Sequence, residues 1–163
     1  MNKGIFLLLG SNQGQPAENL ARASERIEKD AGKILTRSSV YKSAAWGIED
    51  QPDFYNQVLE IESPHSPELL LEKLLDIEKE MGRIRLRKWG PRLIDIDLLF
   101  YGQQVRTAAA LHLPHPGIPE RRFTLLPLAE IAAGFVHPIS KKTITTMLEE
   151  CEDHLRVERV SSE

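Results

Sequence analysis

The stretch Arg92-Leu93-Ile94-Asp95-Ile96-Asp97-Leu98-Leu99 decides how this chain is read. Asp95 and Asp97 alternate with Ile94, Ile96 and Leu98, the two-residue period of a strand with one apolar face. Both carboxylates therefore leave the same face, with Cβ atoms roughly 7 Å apart at ~3.4 Å of rise per residue. No Lys or Arg lies between them to relieve their repulsion. A hard divalent cation would relieve it, since Mg²⁺ prefers one or two carboxylates together with phosphate oxygens and water. Just upstream stand the complementary charges Arg83, Arg85, Arg87, Lys88 and Arg92. Cations for phosphate beside carboxylates for metal is the layout of a phosphoryl-transfer site. An Asp-x-Asp pair alone is more often the solvated face of an edge strand, and a basic run alone is usually a solvated loop. Their adjacency favours function, because Gly90-Pro91 fixes a turn that delivers Arg92 three residues before Asp95.

Outward from that segment, the 163 residues suit one domain, 1–163, with a proper core. A hydrophobic content of 41%, a charged content of 28% and a mean hydropathy of -0.31 describe an ordinary soluble protein. A net charge of -3 argues against general nucleic-acid binding. The single Cys151 excludes an internal disulfide; it reads as a small buried hydrophobe without a catalytic role. Neither a signal peptide nor a membrane-spanning stretch is apparent, so a cytoplasmic protein is expected.

Gly4–Gly10 is an almost unbroken apolar run, a buried central strand that ends in Gly10-Ser11-Asn12-Gln13-Gly14. The spacing predicts a helix over Pro16–Ala31, with Gly32 as its C-terminal cap. Strands follow over Lys33–Ser43 and Phe54–Glu62, then a helix from Ser66-Pro67 to Met81 that Gly82 stops. The Asp strand runs to Tyr101, with Gly102-Gln103 as a hairpin turn, and Leu111–Pro119 reads as loop. Short helices are expected over Arg122–Ile131, interrupted near Pro127, and over Thr143–Glu150, with a closing strand within Leu155–Val160. The order β-α-β-β-α-β predicts a ferredoxin-like α+β sandwich, with helices on one face of an antiparallel sheet. The first and fourth strands are then expected as central neighbours, which would make the Asp strand central.

A second constellation lies in two loops. Residues 43–53 are longer than most hairpin connections, and Phe54 and Asn56 share a strand face directly after them. An aromatic plane beside a side-chain amide suits a flat heterocycle, although Phe54 as core and Asn56 as a loop-satisfying amide is an equal reading of those two alone. The other loop, Pro114-His115-Pro116 with Arg121, Arg122 and Phe123, offers further cations and an aromatic. Glu78 is within reach, but taken alone it reads as a solvated helix residue.

Together these segments resemble the pterin pyrophosphokinases of folate synthesis. The resemblance rests on Gly10-Ser11-Asn12, Asp50-Gln51-Pro52-Asp53-Phe54-Tyr55-Asn56, Gly82-Arg83, Trp89-Gly90-Pro91-Arg92 with Asp95-Ile96-Asp97, and Pro114-His115-Pro116 with Arg121-Arg122-Phe123. It implies pyrophosphoryl transfer from ATP to the hydroxymethyl group of a dihydropterin, releasing AMP. It also implies two Mg²⁺ ions on Asp95 and Asp97. From the charges of such a reaction a strong general base is not required, and Asp97 is a candidate proton acceptor. Arg83, Arg92, His115 and Arg121 become the phosphate-side cations, Arg83 and Arg92 acting in catalysis, and Glu78 and Leu98 further nucleotide contacts. Asn56 would read the pterin edge between Phe54 and Phe123, the backbone of Ser43, Ala44, Trp46 and Gly47 would close the pocket, and Trp89 would belong to a loop that closes over both substrates. The pattern departs from several members at Ser43-Ala44-Ala45-Trp46, where they carry Thr and Pro. The implied partners are small molecules only, acting on a monomer. Two other classes compete on the residues: a nucleotide- or RNA-binding module, which leaves the carboxylate pair unexplained, and an Mg²⁺-dependent nucleotide-sugar transferase, for which the chain is short.

Overall fold

Strand β1 (Asn2–Ser11) is apolar on both faces because both faces are covered, and the fold is arranged about it. In a computed structural model, which describes residues 1–44, 52–82 and 93–160, Ile5, Leu7 and Leu9 point into one core and Phe6 and Leu8 into another. The first core is roofed by α1 (Pro16–Asp30), through Leu20, Ala23 and Ile27, and by α2 (Pro67–Glu80), through Leu70, Leu74 and Ile77. The second is roofed by α3 (Arg122–Ala132) and α4 (Ile144–Glu150), through Leu125, Leu128, Ile144 and Met147. Helices thus cover both faces of the sheet, where one was expected. The second roof comes from the C-terminal third of the chain, beyond the β-α-β-β-α-β unit.

The architecture is the ferredoxin-like α+β sandwich, with every pairing antiparallel. The sheet runs β5 (Asp95–Tyr101), β1, β4 (Phe54–Ser63), β3 (Tyr41–Ser43), β8 (Val157–Arg159), and β2 (Lys33–Arg37) also pairs with β4. The single strand expected over Lys33–Ser43 is split into β2 and β3. Arg37 lies opposite Leu59 and Tyr41 opposite Asn56, so the segment gains one residue on β4, a bulge. Ser38 bridges it: its N–H donates to Val58 O at 2.9 Å, and its hydroxyl accepts from Val58 N–H at 2.9 Å.

β5 lies beside β1 as expected but pairs with β1 alone among the described strands, so it is an edge strand and not a central one. Side chains and a neighbouring segment protect its outer edge. The Ile96 N–H donates to Glu78 Oε2 at 2.6 Å, and His115 N–H donates to Leu99 O at 2.9 Å. Gly102, at φ +57, makes a turn in which Gln104 N–H bonds Tyr101 O, but the strand after it does not pair back onto β5. The chain instead enters β6 (Arg106–Ala108), which pairs with β7 (Leu111–Leu113) in a separate two-stranded sheet, so part of the expected loop is strand.

The helix ends follow local chemistry, with one revision. Ser66 caps α2 through Leu69 N–H and Pro67 opens it; Gly82, at φ +86, takes the left-handed position that ends it. α1 closes instead on Ala31 in a right-handed conformation. Gly32 serves close approach: a Cβ there would stand 2.4 Å from Glu62 O. α3 runs through Pro127 without a break, since buried Leu125 and Leu128 on either side hold it to the core. Cys151 is half-exposed at the end of α4, packed against the second core. No helix among the described residues is long and apolar enough to cross a membrane.

Acid should loosen the second core through His137. Its ring packs edge-on against Phe100, and its Nδ1 accepts from Ile139 N–H and Ser140 N–H, so the neutral ring is the one that fits. Burial holds its pKa below the ordinary 6.5. The unfolded chain therefore takes the proton first as pH falls. The stabilisation is complete above about 6.5 and is lost as pH drops toward the lower folded value. Urea midpoints measured from neutral to mildly acid pH should fall for the native chain and fall less steeply for His137→Gln. Parallel declines would remove His137 from this role.

Candidate active site

Register places the predicted groups on one line across the sheet. Asp95 lies opposite Gly10, Gly10 opposite Asn56, and Asn56 opposite Tyr41. Directly paired residues share a face, so Asp95 and Asn56 stand on the same face with Gly10 between them, ~10 Å apart across two strand spacings. Asp97 lies opposite Leu8 on that face. The face is the one that α3 and α4 cover lower down, over Phe6, Leu8 and Val58. Beyond Leu8 the apolar row gives way to Gly10, Asn56 and the two half-buried carboxylates.

On the β4 side, Asn56 is buried, and its Nδ2 donates to the Ser43 hydroxyl at 3.0 Å. Ser43 was expected to act through its backbone; its side chain also fixes the orientation of the amide. Phe54, two residues earlier on the same face, is half-buried, and Ala44 follows directly on β3. The entrance is held by a second set of bonds. Asn19 Nδ2 donates to Ser11 Oγ at 3.1 Å and to Gln13 O at 2.9 Å, and Asn12 Nδ2 donates to Pro52 O at 3.2 Å. The Asn19 bonds join the loop after β1 to α1, and the Asn12 bond joins it to the chain that enters β4. They give Gly10-Ser11-Asn12 the physical role its sequence pattern left open.

On the β5 side stands His115, with Arg121 within its electrostatic reach and Phe123 beside Arg121 at the start of α3. His115 Nδ1 accepts from Gly117 N–H at 3.1 Å, which leaves the proton of the neutral ring on Nε2 as a donor. Burial lowers its pKa most; the Asp97 carboxylate raises it and Arg121 lowers it again, so all three groups lie within electrostatic reach. The Arg121 guanidinium lies 5.8 Å from the centre of the Phe123 ring. Gly117 supports it from behind, where a Cβ would come 2.8 Å from Arg121 Cζ. The helix carrying Phe123 is anchored at Glu130, which accepts from Ser39 N–H, Ser39 Oγ and Tyr41 Oη at 2.7–3.1 Å and pairs with Arg159. Burial pushes the Glu130 pKa up, but the bonds from Tyr41 and Ser39 outweigh it and the net shift is down. One carboxylate thus ties α3, with Phe123, to β3, with Ser43.

Two sequence readings change. Glu78 is buried on α2 and holds the β5 backbone through Ile96, so it is no solvated helix residue. Leu98 alternates with Asp97 and buries its side chain in the core under α1 and α2, which leaves only its backbone for any nucleotide contact. Trp46, Gly47, Arg83, Arg85, Arg87, Lys88, Trp89 and Arg92 lie outside the described residues, and so does the expected closing loop. The sequence shows Gly10 only as part of a motif without a role, and gives no sign of Gly117, Asn19 or Glu130, whose roles depend on how the chain folds back on itself.

The donor set fits Mg²⁺. Asp95 and Asp97 offer hard oxygen donors on one face, and Mg²⁺ needs only one or two carboxylates when phosphates and water complete its shell. Among the described residues, no three His, Cys, Asp or Glu side chains form an all-protein cage.

A family model described as 7,8-dihydro-6-hydroxymethylpterin-pyrophosphokinase matches residues 6–133. The chain is 41% identical over 150 residues to the 2-amino-4-hydroxy-6-hydroxymethyldihydropteridine pyrophosphokinase of Haemophilus influenzae, covering 91% of this chain and 93% of that one. It is 44% identical over 150 residues to the Synechocystis protein of the same name, covering 91% and 76%. Against the folic acid synthesis protein fol1 of Pneumocystis carinii the identity is 38%, over 94% of this chain but 21% of that one. Among solved structures, the fold is similar to a Plasmodium falciparum HPPK-DHPS triple mutant with SDX-DHP, at a TM-score of 0.74 and 16% identity, over 92% of this chain and 44% of that one.

Glu78→Ala should damage both stability and turnover. It leaves the Ile96 N–H without its acceptor on an edge strand, a loss of about 1–3 kcal/mol, and loosens the strand that carries both aspartates. Chemical denaturation and initial rates should move together. A variant with native stability and native rate would show the bond to be dispensable.

Proposed function

Since this chain belongs to the 7,8-dihydro-6-hydroxymethylpterin-pyrophosphokinase family, we propose that it transfers the terminal pyrophosphoryl group of ATP to the hydroxymethyl oxygen of 6-hydroxymethyl-7,8-dihydropterin. AMP is released, and the product serves folate biosynthesis. The observation that carries the assignment of sites is the cross-strand row in which Asp95 and Asn56 flank Gly10, with His115 and Arg121 alongside.

The heterocycle presents its amide edge to Asn56 and stacks between Phe54 and Phe123, and the backbone from Ser43 through Ala44, Trp46 and Gly47 closes that end. The triphosphate lies toward β5. Asp95 and Asp97 would hold two Mg²⁺ ions, which when bound neutralise charge on the triphosphate and on the oxygen leaving with AMP. Arg121 and the Nε2–H of a neutral His115 donate to phosphate oxygens, and Arg83 and Arg92 supply the further cations where charge develops. Glu78 holds β5 in place, and the backbone at Leu98 meets the nucleotide. Trp89 closes over the assembled substrates and excludes water.

The pterin hydroxyl oxygen attacks the β-phosphorus in line. A bond forms from that oxygen to phosphorus, the bond from phosphorus to the oxygen bridging the α-phosphate breaks, and AMP leaves with the electron pair. The hydroxyl proton is lost as the new bond forms; no strong base is required, and Asp97 is a candidate acceptor. Positioning and electrostatic stabilisation supply most of the rate. The deciding experiment is chromatography of the nucleotide. ATP should become AMP, not ADP, and only when the reduced hydroxymethyl-pterin is present.

Asp95→Asn and Asp97→Asn should each abolish turnover and keep the fold, because size is preserved while the charge that holds metal is removed. Near-normal rates at moderate Mg²⁺ in either variant would refute the metal assignment. Arg92→Ala should lower mainly turnover, since it acts where charge develops in the transition state. Asn56→Ala should lower mainly pterin affinity, by roughly 2–4 kcal/mol for a buried amide pair. That division fails if Asn56→Ala reduces turnover at saturating pterin without touching affinity.

A further inference from the structure

Gly10 is buried near the C-terminal end of β1, and its φ lies outside the left-handed region, so its backbone would accept any residue. The absence of a side chain therefore concerns space. The three heavy atoms nearest to a Cβ built there are Asn56 Oδ1 at 3.1 Å, Phe54 Cδ1 at 3.8 Å and Tyr55 O at 4.0 Å. All three belong to β4. Asp95, the partner of Gly10 on the other side, contributes none of them. A methyl group at this position would press on the amide and approach the ring, while the carboxylate side is farther away.

From this asymmetry we infer that Gly10 is a positioning and specificity-determining residue for the heterocycle. It keeps the floor of the site open beneath Asn56 and Phe54, so that the Asn56 amide holds the orientation Ser43 gives it and a flat ring can lie across β1 toward Asp95. The inference rests on the assignment of Asn56 and Phe54 to the pterin, and it adds a residue of β1 that touches neither phosphate nor metal. The contact at 3.1 Å is with the head of a buried side chain already bonded to Ser43. The amide must give by a few tenths of an ångström, which disturbs its bond to Ser43 and the direction it presents to substrate.

The test is Gly10→Ala, assayed in Mg²⁺ with the reduced hydroxymethyl-pterin and, separately, with a non-hydrolysable ATP analogue. The KM for the pterin should rise about tenfold or more, as expected when a methyl is forced into a filled site. Affinity for the ATP analogue should stay near native, and so should kcat at saturating pterin. In an Asn56→Ala background the same substitution should have little further effect, because the atom it presses on is gone. That pair of variants also serves if Gly10→Ala alone does not fold. An unchanged pterin KM would overturn the inference. So would an equal loss of ATP-analogue affinity, or full additivity with Asn56→Ala. An Asn56→Ala variant that binds pterin normally would instead overturn the underlying pterin assignment, which separates the two failures.

Discussion

Everything in this molecule depends on β1 being buried on both faces while pairing on both edges. A strand so placed has no freedom of register: a slip of one residue would exchange Ile5, Leu7 and Leu9 for Phe6, Leu8 and Gly10 and put each set against the wrong roof. Fixing β1 fixes β4 on one side and β5 on the other. The alignment of Asp95, Gly10 and Asn56 then follows from the two ladders that β1 makes with its neighbours. The two cores act as a jig, and the site is the part of one face that the second roof does not reach.

A site on that face has to solve an edge problem. β5 carries both aspartates and has one unpaired margin among the described strands, and mutual repulsion of the aspartates would favour loosening it. The margin is held at two points, by the buried Glu78 carboxylate on Ile96 and by the His115 amide on Leu99. His115 thus has two functions from two different atoms, a backbone N–H that holds the strand and a ring within electrostatic reach of Asp97 and Arg121. Burial and the Gly117 N–H keep the ring neutral, so it offers a hydrogen-bond donor without adding to the charge of the neighbouring arginine.

Relatives of matching length and much longer ones share this unit, which spans 93% of the Haemophilus protein but 21% of the Pneumocystis one. At 16% identity the Plasmodium domain still superimposes at a TM-score of 0.74. Such tolerance is expected when the determinants are an alternation of apolar residues on two faces and a few backbone-directed polar groups, since cores accept many substitutions that keep volume and pattern.

Local signals in the sequence determined a good deal on their own. Period-2 alternation marked the Asp strand, an almost unbroken apolar run marked β1 as a buried central strand, and Ser66-Pro67 and Gly82 marked the ends of α2, because each of these depends only on residues within a few positions. The motifs named the family, and with it the residues to look for. Tertiary structure alone decided that β5 is an edge, that helices cover both faces, that β2 and β3 are separate, and that Gly32 and Gly10 are glycines for room. It also turned Glu78 from a solvated residue into the buried anchor of β5. Each of these turns on a partner far away in the chain: Glu62 for Gly32, Val58 for Ser38, Asn56 for Gly10, Ile96 for Glu78. The physical reason is that a strand's neighbour, a glycine's clearance and a carboxylate's burial are properties of what packs against them, and no window of sequence contains both sides of that contact.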